Sequence, residues 1–221
     1  IAMEKKFGYH EPQKALNSRI NAHLKYSNFN LHEWINKKFE ISRGERILDV
    51  GCGNGNFTSL FWGKVKPEGY ILGIDKNDQL IKEARERSSK MAKGNVEFQI
   101  CDFDTFSINV VDRFHWVFSI YSLYYTEDSL NIVKKIKSLL APGGTFVVLG
   151  PGPENIKDLI EFSYKLTGVK VKKEFIDRIK RISKEFRPLF QEIFGQDMVT
   201  YEEVDTMMEF PSAEEFLEYY W

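Results

Sequence analysis

The segment ILDVGCGNGNFT, at positions 47–58, constrains the fold of this chain more than any other. It has the pattern of a short apolar strand that runs into Gly51, Gly53 and Gly55 and then into a helix. Glycine is needed where the backbone turns tightly or where a ligand must approach the main chain. The first turn of the helix that follows offers N–H groups without intrahelical partners. The segment therefore predicts a strand–turn–helix unit with a ligand at the turn.

Strand and helix patterns alternate from about residue 45 to residue 150. Short runs rich in β-branched residues are separated by longer stretches with helical character, which predicts an α/β fold with right-handed crossovers. We expect a Rossmann-like, doubly wound, mainly parallel sheet with helices on both faces. The predicted strands are 46–50, 70–74, 96–100, 116–120 and 145–149, and the predicted helices lie near 56–65, 77–92 and 127–140.

An acidic residue closes the second predicted strand. Asp75 follows Gly55 by 20 residues, and a carboxylate at that place can accept hydrogen bonds from a ribose diol. The spacing does not fit a nicotinamide fingerprint, because the third glycine of G-x-G-x-x-G would fall on Asn56 or Thr58. No Gly-Lys-Ser/Thr follows the loop, so a P-loop is also excluded.

Five ordered motifs resemble those of the class I S-adenosylmethionine-dependent methyltransferases. The resemblance covers about residues 44–151, nearly half of the chain. The segments that carry it are LDVGCGNG, GIDKNDQLIKEAR (73–85), VEFQICDFDTF (96–106), DRFHWVFSIYSLYY (112–125) and IKSLLAPGGTFVVLGP (136–151).

The resemblance implies S-adenosylmethionine as cofactor, S-adenosylhomocysteine as product, and a role for each matching position. Asp49 and the backbone from Gly51 to Gly55, with Cys52, would surround the methionine part. Asp75 and Lys76 would lie at the ribose, and Asp102 would bond the adenine amino group with Phe103 beside it. Ser119 and Ile120 would line the methionine part mainly through their backbone.

The family reaction is an in-line displacement from a sulfonium, and the sequence identifies no general base for it. The best acceptor-side cluster is Tyr121, Tyr124 and Tyr125, just past the fourth strand. These rings could line the pocket, bond the acceptor or lie near the sulfonium, with Tyr121 and Tyr124 as candidates for catalysis, or they could only pack the strand against the next helix. The remaining candidates lie in the N-terminal helical region, where His10 and His23 could act in catalysis and Tyr9 and Tyr26 could bind the acceptor.

Two segments flank the predicted core. We expect an N-terminal helical cap at 1–42, a cofactor-binding core at 43–151, and a helical insert followed by a partial C-terminal sheet element at 152–221. The stretch 202–210 is predicted as a sixth strand and 212–221 as a helix. The apolar, aromatic run that ends at Trp221 leads us to expect further residues in the natural protein.

Composition limits the function classes. The net charge of −1 argues against nonspecific nucleic-acid binding by the whole chain, so the predicted partner is a small molecule. Two cysteines and four histidines without metal-ligand spacing argue against a zinc site and suit a cytoplasmic location. No apolar run has the length of a membrane span, and either a monomer or a homodimer is compatible with the sequence.

A basic segment leaves a second possibility open. Residues 164–187 contain nine Lys/Arg and three Asp/Glu, whereas residues 188–221 contain nine Asp/Glu and no Lys/Arg. An RNA or protein methyltransferase could use this basic face, although a solvated face is the more ordinary explanation. A cofactor-binding subunit without transferase activity is a further alternative. The basic side chains are Lys172, Lys173, Arg178, Lys180, Arg181 and Lys184.

Overall fold

A computed structural model describes residues 13–89, 95–105 and 112–220. Its described residues form two units, one containing residues 41–201 and the other residues 13–40 together with 202–220. The division predicted from the sequence, into residues 1–42, 43–151 and 152–221 with the last segment in the same domain as the core, stays a prediction.

The larger unit is built on a parallel five-stranded sheet in the order β3-β2-β1-β4-β5. In the central strand β1, every residue after Arg46 is buried, whereas only Phe98 is buried in the edge strand β3. This difference explains why β1 is a continuous apolar run and β3 is not. The strands are β1 (Arg46–Val50), β2 (Tyr70–Asp75), β3 (Val96–Ile100), β4 (Phe114–Ile120) and β5 (Leu140–Leu149).

The order of the strands places helices on both faces of the sheet. The chain proceeds outward from β1 to β3 on one side and from β4 to β5 on the other. Right-handed crossovers therefore put the helices of the first half on one face and the helix between β4 and β5 on the opposite face. The fold class predicted from the sequence is confirmed. These helices are α3 (Asn56–Val65), α4 (Asp78–Ser88) and α5 (Ser129–Leu139).

The predicted helix ended near residue 140 and the predicted strand began at residue 145. In the structure the proline and paired glycines at 141–144 do not separate α5 from the last strand. Strand β5 begins at Leu140, which pairs with Phe114, and the register then shifts so that Thr145 pairs with Trp116. The APGG segment is therefore an irregularity inside β5. Gly143, with φ of 74°, takes a backbone conformation that favours glycine at such a bulge.

A helical insert follows β5, as predicted. No residue of its first helix α6 is buried, whereas Ile179 and Phe186 farther along the insert are buried. The insert contains α6 (Lys157–Thr167), α7 (Lys173–Ile179), a π-helical turn (Ile182–Phe186), α8 (Arg187–Phe194) and a 3₁₀ turn (Gln196–Met198).

The smaller unit has three described helices, α1 (Gln13–Tyr26), α2 (Leu31–Lys38) and α9 (Ala213–Tyr220). The sixth strand predicted at 202–210 is wrong for the described chain, because only Met208 pairs there, in an isolated antiparallel bridge to Ser27. The stretch carries four acidic side chains, and Val204 and Met207 remain exposed. Without an apolar face to bury, such a stretch gains little from joining a sheet.

Candidate active site

The loop between β1 and α3, residues 51–55, turns through three glycines in the left-handed region. The φ angles are 72° at Gly51, 54° at Gly53 and 74° at Gly55. The N–H groups of Gly51 and Cys52 both donate to the Ile74 carbonyl at the end of β2, at 2.8 and 3.0 Å. The loop is thus held to the neighbouring strand at the carboxyl edge of the sheet, where parallel α/β proteins bind ligands.

The three glycines are required for different reasons. A Cβ at Gly51 would lie 2.3 Å from the Ser122 Cβ, and a Cβ at Gly55 would lie 3.1 Å from the Ala84 Cβ. Both positions are therefore small because protein atoms pack against them. A Cβ at Gly53 would meet nothing within 4 Å. Gly53 is the glycine of the loop whose backbone faces open space and could lie against a ligand.

Asp75 joins this loop to the end of β2. Its Oδ2 accepts a hydrogen bond from the Gly53 N–H at 2.9 Å, and its Oδ1 accepts from the Asn77 N–H at 2.9 Å. Burial raises the pKa of this carboxyl above its ordinary value, partly offset by these two N–H donors. Because each carboxylate oxygen can accept more than one hydrogen bond, Asp75 retains capacity for the hydroxyls of a ligand.

Asp49 lies beneath the loop, inside β1, with 2% of its surface exposed. Its Oδ2 accepts a hydrogen bond from the Thr58 hydroxyl at 2.6 Å. Burial raises the pKa of Asp49 to about 7, the Thr58 hydroxyl opposes this, and the charge of Asp75 adds to it. The neighbouring Cys52 is also buried, and burial raises the pKa of its thiol well above its usual value.

The residues predicted beside the adenine follow β3. Asp102 is half-buried and its Oδ1 accepts from the Asp104 N–H at 3.0 Å. Phe103 packs in the hydrophobic core with 9% of its surface exposed. Lys76, predicted near the ribose, is exposed. The structure thus brings Asp102 to the same edge of the sheet as Asp75, and the ligand contacts of all three residues remain predictions.

Two serines connect the ends of β1 and β4. The Ser122 hydroxyl donates to the Val50 carbonyl at 2.6 Å and lies 2.6 Å from the Ser119 hydroxyl, which must therefore donate to it. Ser119 and Ile120 are both buried. The predicted lining role of these two positions through their backbone stays a prediction.

The tyrosines after β4 occupy different environments. Tyr121 has a φ of 54°, unusual for a residue other than glycine, and half of its surface is exposed. Desolvation raises the pKa of its hydroxyl. Tyr124 is buried, and a Cβ at Gly150 would lie only 3.1 Å from its ring. Its ring also packs on Tyr125, with 4.6 Å between centroids. Tyr121 is thus the most exposed of the three tyrosines, and the acceptor-side roles of all three stay predictions.

Arg181 does not belong to the exposed basic face on which the sequence placed it. Only 4% of its surface is exposed, and its guanidinium donates to the carbonyls of Tyr124 and Thr126. Arg178 lies over the Tyr125 ring, at 5.1 Å. The sequence did contain a sign that Arg181 is paired, because Glu185 follows it by one helical turn. The two side chains form an ion pair at 2.6 Å.

The four candidates in the N-terminal region are not tested by this geometry. Tyr9 and His10 lie outside the described residues. His23 and Tyr26 belong to the smaller unit, where the Tyr26 hydroxyl donates to Glu215 at 2.8 Å and the Tyr26 ring packs against Phe210. Their catalytic or acceptor-binding roles remain predictions.

The chain is similar to known methyltransferases over most of its length. A family model described as a methyltransferase domain matches residues 41–210. The demethylmenaquinone methyltransferase of Lactococcus lactis is 32% identical over 111 residues, 48% of this chain and 42% of that protein. The aklanonic acid methyltransferase of Streptomyces sp. (strain C5) is 29% identical over 108 residues, 49% of each chain. The chain spans about half the length of the curated relatives it matches.

Solved structures give the same fold. A SAM-dependent methyltransferase from Aquifex aeolicus superposes with a TM-score of 0.55 at 21% identity, over 66% of this chain and 76% of that one. Coclaurine N-methyltransferase, bound to N-methylheliamine and SAH, superposes with a TM-score of 0.52 at 18% identity, over 62% of this chain and 44% of that one. At these identities the likeness shows the fold alone.

Proposed function

This chain belongs to the class I S-adenosylmethionine-dependent methyltransferases, and we propose that it transfers the methyl group of that cofactor to a small-molecule acceptor. The observation that carries the proposal is the pairing of the exposed Gly53 backbone with the Asp75 carboxylate at one edge of the sheet. No protein atom packs against Gly53 where a Cβ would lie, and the neighbouring Asp75 can accept further hydrogen bonds. Both features suit a nucleoside that lies along the loop.

The chemistry of the residues present supports this cofactor. Asp75 would hold the ribose hydroxyls, Asp102 the adenine amino group, and the backbone of residues 51–55 the methionine part. When bound, the cofactor supplies a methyl group on a sulfonium, which is already an excellent leaving group. Asp49 and Asp75 are carboxyls whose pKa values burial raises. A cationic ligand nearby would favour their ionised forms, and their negative charges would in turn attract it.

The protein's own contribution would be alignment and exclusion of water. Positioning of two reactants can supply about 7–11 kcal/mol of rate enhancement. The Tyr121 ring, half exposed after β4, would face the acceptor. Its hydroxyl holds its proton at neutral pH, because desolvation raises its pKa further above an already high ordinary value. Tyr121 is therefore a hydrogen-bond donor or an aromatic wall here, and a general base is assigned to no residue.

A small-molecule acceptor is supported by the relatives, whose names specify demethylmenaquinone and aklanonic acid. The acceptor of this chain and its attacked atom, whether oxygen, nitrogen or carbon, stay open. The RNA or protein alternative is weakened by the structure, because Arg181 is buried and Arg178 lies on the Tyr125 ring. Two of the six cations of the proposed basic face are thereby engaged within the protein.

Calorimetry and turnover test the proposal. S-Adenosylmethionine and S-adenosylhomocysteine should bind, whereas NAD should not, and the reverse order would reject the cofactor. Turnover of a metabolite panel with a radiolabelled methyl donor should then label a small molecule. Cofactor binding without labelling of any small molecule, RNA or protein would favour a non-catalytic subunit. Salt-sensitive RNA binding that is lost when Lys172, Lys173 and Lys180 are changed to Gln would favour the RNA alternative.

A further inference from the structure

The loop that follows β4, residues 121–128, is held by a cation from the helical insert. Arg181 is the buried member of the insert's basic side chains, with 4% of its surface exposed. Its Nη1 donates to the Tyr124 carbonyl at 2.9 Å and to the Thr126 carbonyl at 2.6 Å. One guanidinium nitrogen therefore bonds both ends of a short backbone turn, across more than 50 residues of sequence.

Every N–H group of this guanidinium has an acceptor. The Nε and Nη2 atoms donate to the two carboxylate oxygens of Glu185, at 2.7 and 2.6 Å, and Nη2 also reaches the Ser129 hydroxyl at 3.4 Å. A buried cation is tolerated only when it is paired and fully hydrogen-bonded. Because the fork is planar, Glu185 on one edge fixes the direction in which Nη1 points on the other.

The turn held in this way begins at Tyr124, three residues after Tyr121. Tyr121 adopts its left-handed backbone while its N–H donates to the Leu149 carbonyl at 2.8 Å. A non-glycine residue in this region is strained and persists only when its surroundings impose it. The opposite side of the loop is held by the Thr126 hydroxyl, which donates to Asp104. Arg181 is thus one of several constraints that keep the loop, and with it Tyr121, in place.

We propose that Arg181, oriented by Glu185, is a positioning residue that sets where the loop of residues 121–128 presents Tyr121 to the acceptor. This inference rests on the proposed function, because it assumes that the acceptor meets this loop. In this proposal the second half of the insert, which contains Arg181 and Glu185, holds the loop of residues 121–128 in one position. Lysine could not replace Arg181, since a single ammonium group cannot bond two carbonyls and both oxygens of Glu185 in this planar arrangement.

Hydrogen exchange of the whole chain, read by mass spectrometry, tests the proposal with the variant Arg181→Lys. The amides of Tyr125 and Thr126, which donate to Ser122 and Leu123, should exchange on the order of tenfold faster or more, since charge-assisted hydrogen bonds are lost. Peptides from β1 and β2 should be unchanged. Glu185→Gln, at a side chain 39% exposed, keeps both carbonyl bonds and should give a smaller increase.

Arg187→Lys is the matched control, because this exposed arginine of the same insert lies over the Tyr201 ring. It should leave the exchange of residues 121–128 unchanged. With any acceptor that is turned over, Arg181→Lys should raise the KM for the acceptor and leave the KM for S-adenosylmethionine unaltered. An increase shared equally by β1 and β2, or no increase in the loop, would overturn the positioning role. Absence of cofactor binding by the unmodified chain would instead overturn the proposed function.

Discussion

Glycines with the same backbone conformation have different roles in the loop of residues 51–55. Gly51 and Gly53 both have positive φ, yet only Gly51 is in contact with a side chain that a Cβ would strike. Packing therefore explains the requirement for glycine at position 51, and we propose that a bound ligand explains the requirement at position 53. This distinction can be measured one residue at a time.

Gly51→Ala should lower the free energy of unfolding by about 2–5 kcal/mol, the sum of left-handed strain and overpacking against Ser122. Gly53→Ala should cost only about 1–2 kcal/mol, because its Cβ would enter open space. Gly53→Ala should, however, weaken cofactor binding, whereas a folded Gly51→Ala protein should retain more of it. Urea unfolding and calorimetry with S-adenosylhomocysteine check the pair, and equal losses of stability would contradict the distinction.

Asp75→Ala should raise the dissociation constant for S-adenosylhomocysteine by about 10- to 150-fold. A carboxylate that accepts hydrogen bonds from neutral hydroxyls contributes on the order of 1.5–3 kcal/mol. Calorimetry measures the change, with Asp78→Ala as control because this nearby acid is exposed on the first turn of α4. An unchanged dissociation constant for Asp75→Ala would refute the ribose role.

At the residue scale, local motifs were predictable from the sequence and long-range partners were not. Gly53 and Asp75 stand at the ends of adjacent strands, so periodicity and spacing were enough to bring them together. Arg181 reads as one more charge in a basic run, because its acceptors on Tyr124 and Thr126 lie more than 50 residues away. Periodicity reports which face of a helix is apolar and carries no information about the partner of a buried cation.

Among the elements, the strands were found because each carries a run of apolar or β-branched residues that the sheet buries. The irregular start of β5 was missed because proline and glycine at 141–144 also fit a simple helix stop. The predicted strand at 202–210 failed for a different reason, since its four acidic side chains leave it without an apolar face to bury. Composition alone does not decide whether such a stretch of chain joins the sheet.

Helix α6 differs from α3, α4 and α5, since none of its residues is buried. Leu166→Ala should therefore change the free energy of unfolding by less than about 0.5 kcal/mol. The matched change Leu80→Ala, in α4, should cost about 2–5 kcal/mol, because that leucine is 4% exposed. Urea titration of both variants measures the difference, and a loss of several kcal/mol for Leu166→Ala would show that α6 packs against an apolar surface.

For the molecule as a whole, the buried carboxyl of Asp49 should make stability depend on pH. Its pKa rises from 3.8 to about 7 on folding, so the folded state holds this proton more tightly than the unfolded state. The resulting stabilisation is fully present below about pH 4 and is lost as the pH rises through 7. Asp49→Asn should remove this dependence, which amounts to at most about 4 kcal/mol.

Chemical unfolding of the unliganded protein at a series of pH values checks this effect. The comparison is the difference between the original chain and Asp49→Asn, in which the contributions of groups that do not interact with Asp49 cancel. The exposed Asp78→Asn is the control and should leave the profile unchanged. A difference between the original chain and Asp49→Asn that stays constant from pH 4 to 8 would contradict the raised pKa.

Among the described residues, no helix is both long and apolar enough to cross a membrane.

The contact between Gly51 and Ser122 has a consequence for how such a protein can change its acceptor. It joins the segment that would hold the methyl donor to the segment that presents Tyr121, with no space for a larger side chain between them. Diversification of the acceptor side is therefore restricted at position 122, where any residue bulkier than serine would push on the donor side as well. Libraries that aim at new acceptors should vary Tyr121 freely and leave its neighbour Ser122 small.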